Sequence, residues 1–590
     1  MPINSKKIIA NTLFFSTFLS VGLCVANSKA LAETDEENQI NQQLLAPNES
    51  VDFMSDMEKA RRYYQAISSR NTGNADETAS VEKKEGQGEI KLPPRKRKNA
   101  PTVHIYRVEM PESEIFSKQE IEQIINLLQA KDVTEEDINN FIRLVNEQYL
   151  EKGYITARAY IKEGSLNGGV LQVELMEAHI GQFEIDGSKY NKEWFIRSQF
   201  SHKDGELFDL NDLQKELKTF NRNARSIKLR AELKPGEEYG TTDIKMVADE
   251  SFPYHLSTSF DNFGRDTTGE HRGGIVASTD TLLGYQDRLA VAFNIARSSF
   301  NPYIDYSVPV NRYGTRAGVS YMFGKSKVTS GNYKDFDLEA KTNTYSAYVT
   351  HPLIDSAKGK LNLNASVNEK FSTAEIAGMK YSNYKDLSVA FGVGGNYNFE
   401  KSIFYGSSYI TRGTIKDKIR RYNEQFTKFN VDGYYIHYLP WGIVGTFKFG
   451  GQYSPDNIAY VEQYQIGGIS SVRGYSEGLL MAPSSYYTSA EMLFPMPFLP
   501  ETVDVPFTEG KSYRLRDSVK FASFIDHGAI FPYHDRAHKK DFLLSYGFGL
   551  RAAVSKYIST RVYVGFPLMN QKTYHESDTS FHFDLVATPF

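Results

Sequence analysis

The sequence is nearly empty of cysteine: Cys24 is the only one in 590 residues, which excludes a disulfide scaffold. It lies in an N-terminal stretch that reads as a secretory signal peptide. Lys6 and Lys7 form a basic start, Ile8 to Val25 a mostly apolar core, and Ala30-Leu31-Ala32 a small-x-small cleavage site. A lipoprotein role for Cys24 would need a small residue before it, where Leu23 stands. Strong charge of one sign is also missing; a net charge of −4 and a pI near 6.4 argue against a nucleic-acid partner. Beyond the first 32 residues no apolar run reaches the roughly 18 residues that a membrane-spanning helix needs. The histidines are scattered without ligand spacing, and no glycine-rich phosphate loop precedes a helix. Metal, nucleotide and other cofactor chemistry therefore have no foothold.

Tryptophan is scarce, with two residues, yet tyrosine and phenylalanine number 38 each and glycine 43. Many aromatics and glycines with low overall hydropathy suit a transmembrane β-barrel, in which only alternate residues face lipid.

Residues 1–32 are thus expected to be removed, and residues 33–70 to form an N-terminal segment with one helix. Val51, Met54, Met57, Ala60, Tyr63 and Ile67 recur at three- and four-residue spacing, with acidic residues early and Arg61, Arg62 and Arg70 late. Residues 71–100 read as a linker, closing on Leu92-Pro93-Pro94 and the run Arg95-Lys96-Arg97-Lys98, a solvated tether rather than a docking patch. From 101 to 179 the pattern predicts an α+β module of order β-α-α-β-β. His104–Val108 is its first strand, and Ser117 to Glu120 is a capping box with Phe116 placed to staple Ile121. Thr134 caps a second helix with the stripe Ile138, Phe141, Ile142, Val145 and Tyr149, and Gly153 ends it. Strands Ile155–Lys162 and Val170–Glu177 follow, joined across Gly168-Gly169. The same order recurs over 180–252, with a strand at Phe183–Ile185, helices at Lys192–Gln199 and Leu210–Asn221, and a hairpin across Pro235-Gly236.

From 253 to 590 the period becomes two. Leu387, Val389, Phe391 and Val393 alternate with small residues, as do Tyr546, Phe548 and Leu550; Ile443, Phe447, Phe449 and Tyr453 alternate with Val444, Thr446, Lys448 and Gln452. The polar and small set would line a watery lumen and the apolar set meet lipid. At roughly ten residues per strand plus unequal loops, this length accommodates about sixteen antiparallel strands. Phe581, Phe583 and Leu585 share one parity, while the last residue, Phe590, falls on the other.

Two short motifs lie in this part: Val472-Arg473-Gly474-Tyr475, within the Gly- and Ser-rich stretch Gln465 to Ser485, and Phe524-Ile525-Asp526-His527-Gly528. Together they resemble the outer-membrane assembly-factor superfamily, whose V-R-G-F/Y tip rides an extracellular loop folded back into the lumen and whose F-x-D-x-G motif lies on a nearby strand. The paired modules resemble its POTRA domains. Two of them behind an N-terminal helix and linker are similar to the two-partner secretion transporters, the haemolysin and filamentous-haemagglutinin activators. Gly153-Tyr154-Ile155-Thr156, the Asp261-Asn262-Phe263-Gly264 stretch with Thr268-Gly269, and Glu491 to Pro495 agree with that family. Ala178 stands where the family commonly has glycine, so the exit from the first module is expected to differ locally.

A buried guanidinium is costly without a partner, and Asp526 is the expected carboxylate for Arg473. Because the loop has little apolar surface of its own, a charge pair should pin its tip, making Val472, Arg473, Gly474, Tyr475, Phe524, Asp526 and Gly528 a loop–barrel lock. Gly474-Tyr475-Ser476-Glu477-Gly478 matches the hydrolase G-x-S-x-G pattern, but without the strand-to-helix turn that the nucleophile elbow needs. The resemblance implies a non-enzymatic channel in the outer membrane, its POTRA domains in the periplasm. It would export one large exoprotein, an adhesin or cytolysin, without nucleotide. The POTRA domains would recognise this cargo, and the helix would plug the pore at rest. The rivals are a barrel-assembly factor and a passive porin.

Overall fold

The computed structural model describes residues 101–588, except 163–166, 239, 332–333, 502, 505–511, 514, 533–540, 556 and 570–576. The signal peptide, the N-terminal helix, the linker and Phe590 lie outside the described residues. The chain divides into two compact units: one ends at Glu250, and the other holds Ser251–Phe590.

In the first unit, the capping boxes form as the side chains dictate. Ser117 accepts from the Glu120 backbone while Glu120 accepts from the Ser117 N–H at 2.8 Å, opening the helix Lys118–Ile125. Thr134 and Asp137 do the same for the helix Glu135–Glu151, whose Phe141, Val145 and Tyr149 are fully buried. Phe116 and Ile121 join the same core. The expected first strand is broken at Tyr106 into Val103–Ile105 and Arg107–Glu109. The first piece pairs antiparallel with Lys131–Val133, a strand between the two helices that the sequence pattern does not announce. The second runs parallel to Val170–Met176, which also pairs with Arg158–Ile161.

The repeat is real at the level of single side chains. In the first module Asn146 clamps the next strand, its Oδ1 accepting from Ala159 N–H at 2.7 Å and its Nδ2 donating to Ala159 O at 3.2 Å. In the second, Asn221 on the helix Leu210–Asn223 treats Leu229 the same way, at 2.8 and 2.9 Å. Each amide replaces a strand neighbour, satisfying a backbone pair that would otherwise be buried without partners. The second sheet sets His179–Asp186 parallel to Thr241–Glu250, with Ile227–Pro235 antiparallel on its other side. Gly153 has a φ of +98°, and a Cβ there would lie 2.0 Å from Asn211 Nδ2, so glycine is what lets the second module's helix start close to it.

The second unit is a closed antiparallel barrel of sixteen strands, from Tyr254–Asp261 to Ser580–Ala587. Leu387, Val389, Phe391 and Val393 point outward and are exposed, while Ser388 and Ala390 between them are buried, as alternation requires. Ile443 falls just before the strand Val444–Tyr453, at the exit of a helical turn. Among the described residues, the first and last strands close the ring over four residue pairs, from Asp584–Asp261 to Ala587–Thr258. Beyond that ladder the Asn262 side chain stands in for a backbone unit, accepting from the Phe583 N–H and donating to Phe581 O, both at 2.8 Å.

Candidate functional site

Residues 454–483 join the eleventh strand, Val444–Tyr453, to the twelfth, Ser484–Pro495. A short hairpin, Tyr464–Ile466 with Leu480–Ala482, stiffens the segment, and the four-residue motif sits between its arms. Arg473 is 1 % exposed and Val472 and Tyr475 are fully buried, so the tip is packed inside the ring rather than carried on an outer surface.

The guanidinium meets Asp526 side-on, with Nε 2.7 Å from Oδ2 and Nη2 2.8 Å from Oδ1, while the Arg473 backbone N–H donates to Oδ2 at 3.0 Å. This two-pronged geometry is the strong form of an arginine–carboxylate contact. A second carboxylate shares the load: Nη1 donates to Glu491 Oε2 at 2.7 Å, and Nη2 reaches Ser489 Oγ at 3.0 Å. Strand register explains the cluster, because Ser489 and Asp526 are direct cross-strand partners and Glu491 lies opposite Phe524. The Phe524 ring lies under the guanidinium, 3.5 Å from centroid to Cζ. Glu491 in turn pairs with Arg551 Nη2 at 2.8 Å and accepts from the Tyr563 hydroxyl at 2.8 Å. Two guanidinium groups therefore face two carboxylates in a site closed to water, the condition under which buried charge is tolerated.

The glycines set how closely loop and wall approach. Gly474 has a φ of +95°, and a Cβ on the facing Gly565 would lie 2.6 Å from Gly474 N. A Cβ on Gly528 would meet Val472 Cγ2 at 2.9 Å. The Tyr475 hydroxyl is shared between Leu544 O at 2.8 Å and Met569 O at 2.6 Å, tying the tip to the fourteenth strand and the segment after the fifteenth.

Of the seven residues expected in the lock, Arg473 meets Asp526 and Phe524 and Val472 faces Gly528, whereas Gly474 and Tyr475 lie against Gly565, Leu544 and Met569. The expectation that the loop has little apolar surface is corrected: Ile466, Val472, Tyr475, Leu480 and Ala482 bury themselves against Tyr487, Ile530 and Leu543. The hairpin gathers these scattered side chains onto one face, which linear composition hides. Glu491, Arg551 and Tyr563 were not anticipated as members. Each is a charged or phenolic residue at an inward position of a strand, and that parity is the signal that could have found them. Ser476 lies on the loop and is exposed, with the short strand Leu480–Ala482 after it rather than a helix.

Residues 240–552 match the family model described as haemolysin secretion/activation protein ShlB/FhaC/HecB, and residues 103–178 match the ShlB-type POTRA domain. The outer membrane transporter CdiB of Dickeya dadantii (strain 3937) is 24% identical over 451 residues, 73% of this chain and 77% of that protein. The heme/hemopexin transporter protein HuxB of Haemophilus influenzae (strain 86-028NP) is 22% identical over 403 residues, 65% and 70% of the two chains. Among solved structures, CdiB from Escherichia coli superposes with a TM-score of 0.60 at 18% identity, covering 95% of this chain and 100% of that one; it shares the fold. The match over more than half its length makes this chain a member of the haemolysin secretion/activation family, the outer-membrane transporters of two-partner secretion.

Proposed function

We propose that this chain exports one or a few large partner proteins, adhesins or cytolysins, through its own barrel, and that it works as a transporter rather than an enzyme. In this reading residues 101–179 and 180–252 are periplasmic recognition modules and residues 253–590 are the channel. The cargo arrives unfolded, and an extended segment adds as a strand to an exposed sheet edge of the modules. No nucleotide is needed, since folding of the cargo outside draws it across. The helix expected within residues 33–70 closes the lumen at rest.

The lock of Val472, Arg473, Gly474 and Tyr475 against Phe524, Asp526 and Gly528 holds the inward-folded loop in a defined place on the wall. What carries this reading is the burial of Arg473 with three hydrogen bonds to one carboxylate. A loop that merely lined a passive pore would not need so specific a seat. The test is secretion by Arg473→Ala and Asp526→Ala variants, scored as cargo in the medium, with heat-modifiability on gels as the control for barrel folding. Reduced secretion from a folded barrel is expected. Normal secretion from both variants would refute the lock.

A further inference from the structure

The same loop carries a second buried charge well before its tip. Glu462 ends the helical turn Tyr460–Glu462 and is 6 % exposed, in a stretch where the loop has only just left the eleventh strand. Its carboxylate lies between two ammonium groups of the barrel wall: Lys370 on the seventh strand, Gly359–Ile376, and Lys428 on the tenth, Tyr422–Tyr438, the latter at 2.7 Å. Asp386, 2 % exposed, is the direct cross-strand partner of Lys370. The cluster thus holds two ammonium groups and two carboxyl groups, and one of the carboxyls comes from the loop. Gln452 adds a hydrogen bond to the Glu462 carbonyl at 2.9 Å. Around the charges, Ile458, Tyr460 and Val461 pack with Tyr384, Ile415 and Phe426, and the Tyr460 and Tyr384 rings meet edge-on at 5.1 Å.

The position of this cluster on the ring gives it meaning. Lys370, Asp386 and Lys428 are on the seventh, eighth and tenth strands of sixteen, whereas Glu491, Asp526 and Arg551 of the tip cluster are on the twelfth, thirteenth and fourteenth, so the two clusters occupy separate arcs of the wall. We propose that Glu462 is a second anchor, and that the loop is held at two points, by separate charge clusters on different arcs of the wall. This deepens, and rests on, the loop lock proposed above. Removing the Glu462 carboxylate would take away the charge that lies between Lys370 and Lys428, and losing one partner of a buried ion pair is costly. Breaking the Arg473 cluster alone frees the tip but leaves the near limb tied by Glu462. Clearing the lumen for cargo then takes two separate releases.

Site-resolved thiol labelling of the full chain in detergent tests this, because Cys24 lies in the segment expected to be removed. Val461→Cys reports on the near limb and Ser470→Cys on the tip; both parent side chains are buried. Glu462→Gln should speed maleimide reaction at position 461 by about tenfold or more, the scale set by removing one partner of a buried pair. It should leave position 470 within about twofold, as for sites that share no partners. Arg473→Ala should give the reverse pattern. Lys428→Met, which keeps Glu462 but removes one of its cations, should also speed reaction at 461. A rate at 461 unchanged by both Glu462→Gln and Lys428→Met overturns the second anchor. So does a Glu462→Gln variant in which both positions open together. Position 470 staying slow in Arg473→Ala would instead overturn the tip lock. Heat-modifiability confirms that each variant barrel is folded.

Discussion

Replacing Asp526 by alanine removes three of the five hydrogen bonds that Arg473 makes and leaves it with Glu491 and Ser489. Truncating one partner of a buried ion pair costs about 3–5 kcal/mol, chiefly because the remaining charge is stranded. Arg473→Ala is of the same order, since it strands Asp526 while Glu491 keeps Arg551. If that energy holds the loop tip closed, amide hydrogen exchange at Val472 to Tyr475 reads it as a loss of protection. At about 1.4 kcal/mol per decade, the loss is roughly two to three and a half decades for each single variant. The double variant should lose little more than either, because the first change has already broken the pair, so the coupling is close to one single loss, about 3–5 kcal/mol. The assay is exchange on the purified chain in detergent, with barrel amides as the internal reference. Losses that multiply in the double variant would mean that the two residues act independently, and the pinning role would fail.

Gly565→Ala should unseat the tip without touching a charge, since its Cβ would collide with Gly474 N; secretion should fall while the barrel still shows heat-modifiability. Deleting residues 33–70 should raise single-channel conductance in planar bilayers if the expected helix plugs the lumen, and unchanged conductance would place it outside. In the first unit, the hydrogen bond to Glu216 raises the His202 pKa. Burial alone would raise the Glu216 pKa, but hydrogen bonds from His202 and Ser201 leave it lowered. The histidine's contribution is then complete below about pH 6.5 and lost as pH rises through its raised pKa, while the glutamate's is present above about pH 4.5 and lost on acidification through its lowered one. The stability gap between the native chain and His202→Asn should therefore be widest between about pH 4.5 and 6.5 and shrink on either side, as followed by thermal unfolding of the first unit. A gap that does not change with pH would refute the pair.

Much of this structure is legible in one chain because its signals are local. Alternation over Leu387 to Val393 needs only neighbouring residues to reveal a barrel wall, and Ser117 with Glu120 marks a helix start within four positions. The strand Lys131–Val133 is different: three residues carry no period, and the strand exists because Val103–Ile105 offers it a ladder. The same holds for the lock. Arg473 and Asp526 stand in recognisable motifs, whereas Glu491 and Tyr563 join them only through register between strands far apart in sequence. Glu462 is the extreme case, since its two lysine partners lie 34 and 92 residues away and nothing around it in the sequence sets it apart.

The proposed export of a dedicated cargo is tested most directly by deleting this protein and comparing the proteins in the medium and in the outer membrane with those of the parent strain. One or a few large proteins should vanish from the medium and be stranded or degraded in the periplasm, while the other outer-membrane barrels assemble at normal levels. A general loss of barrels, with no particular protein missing from the medium, would contradict it and point to barrel assembly instead.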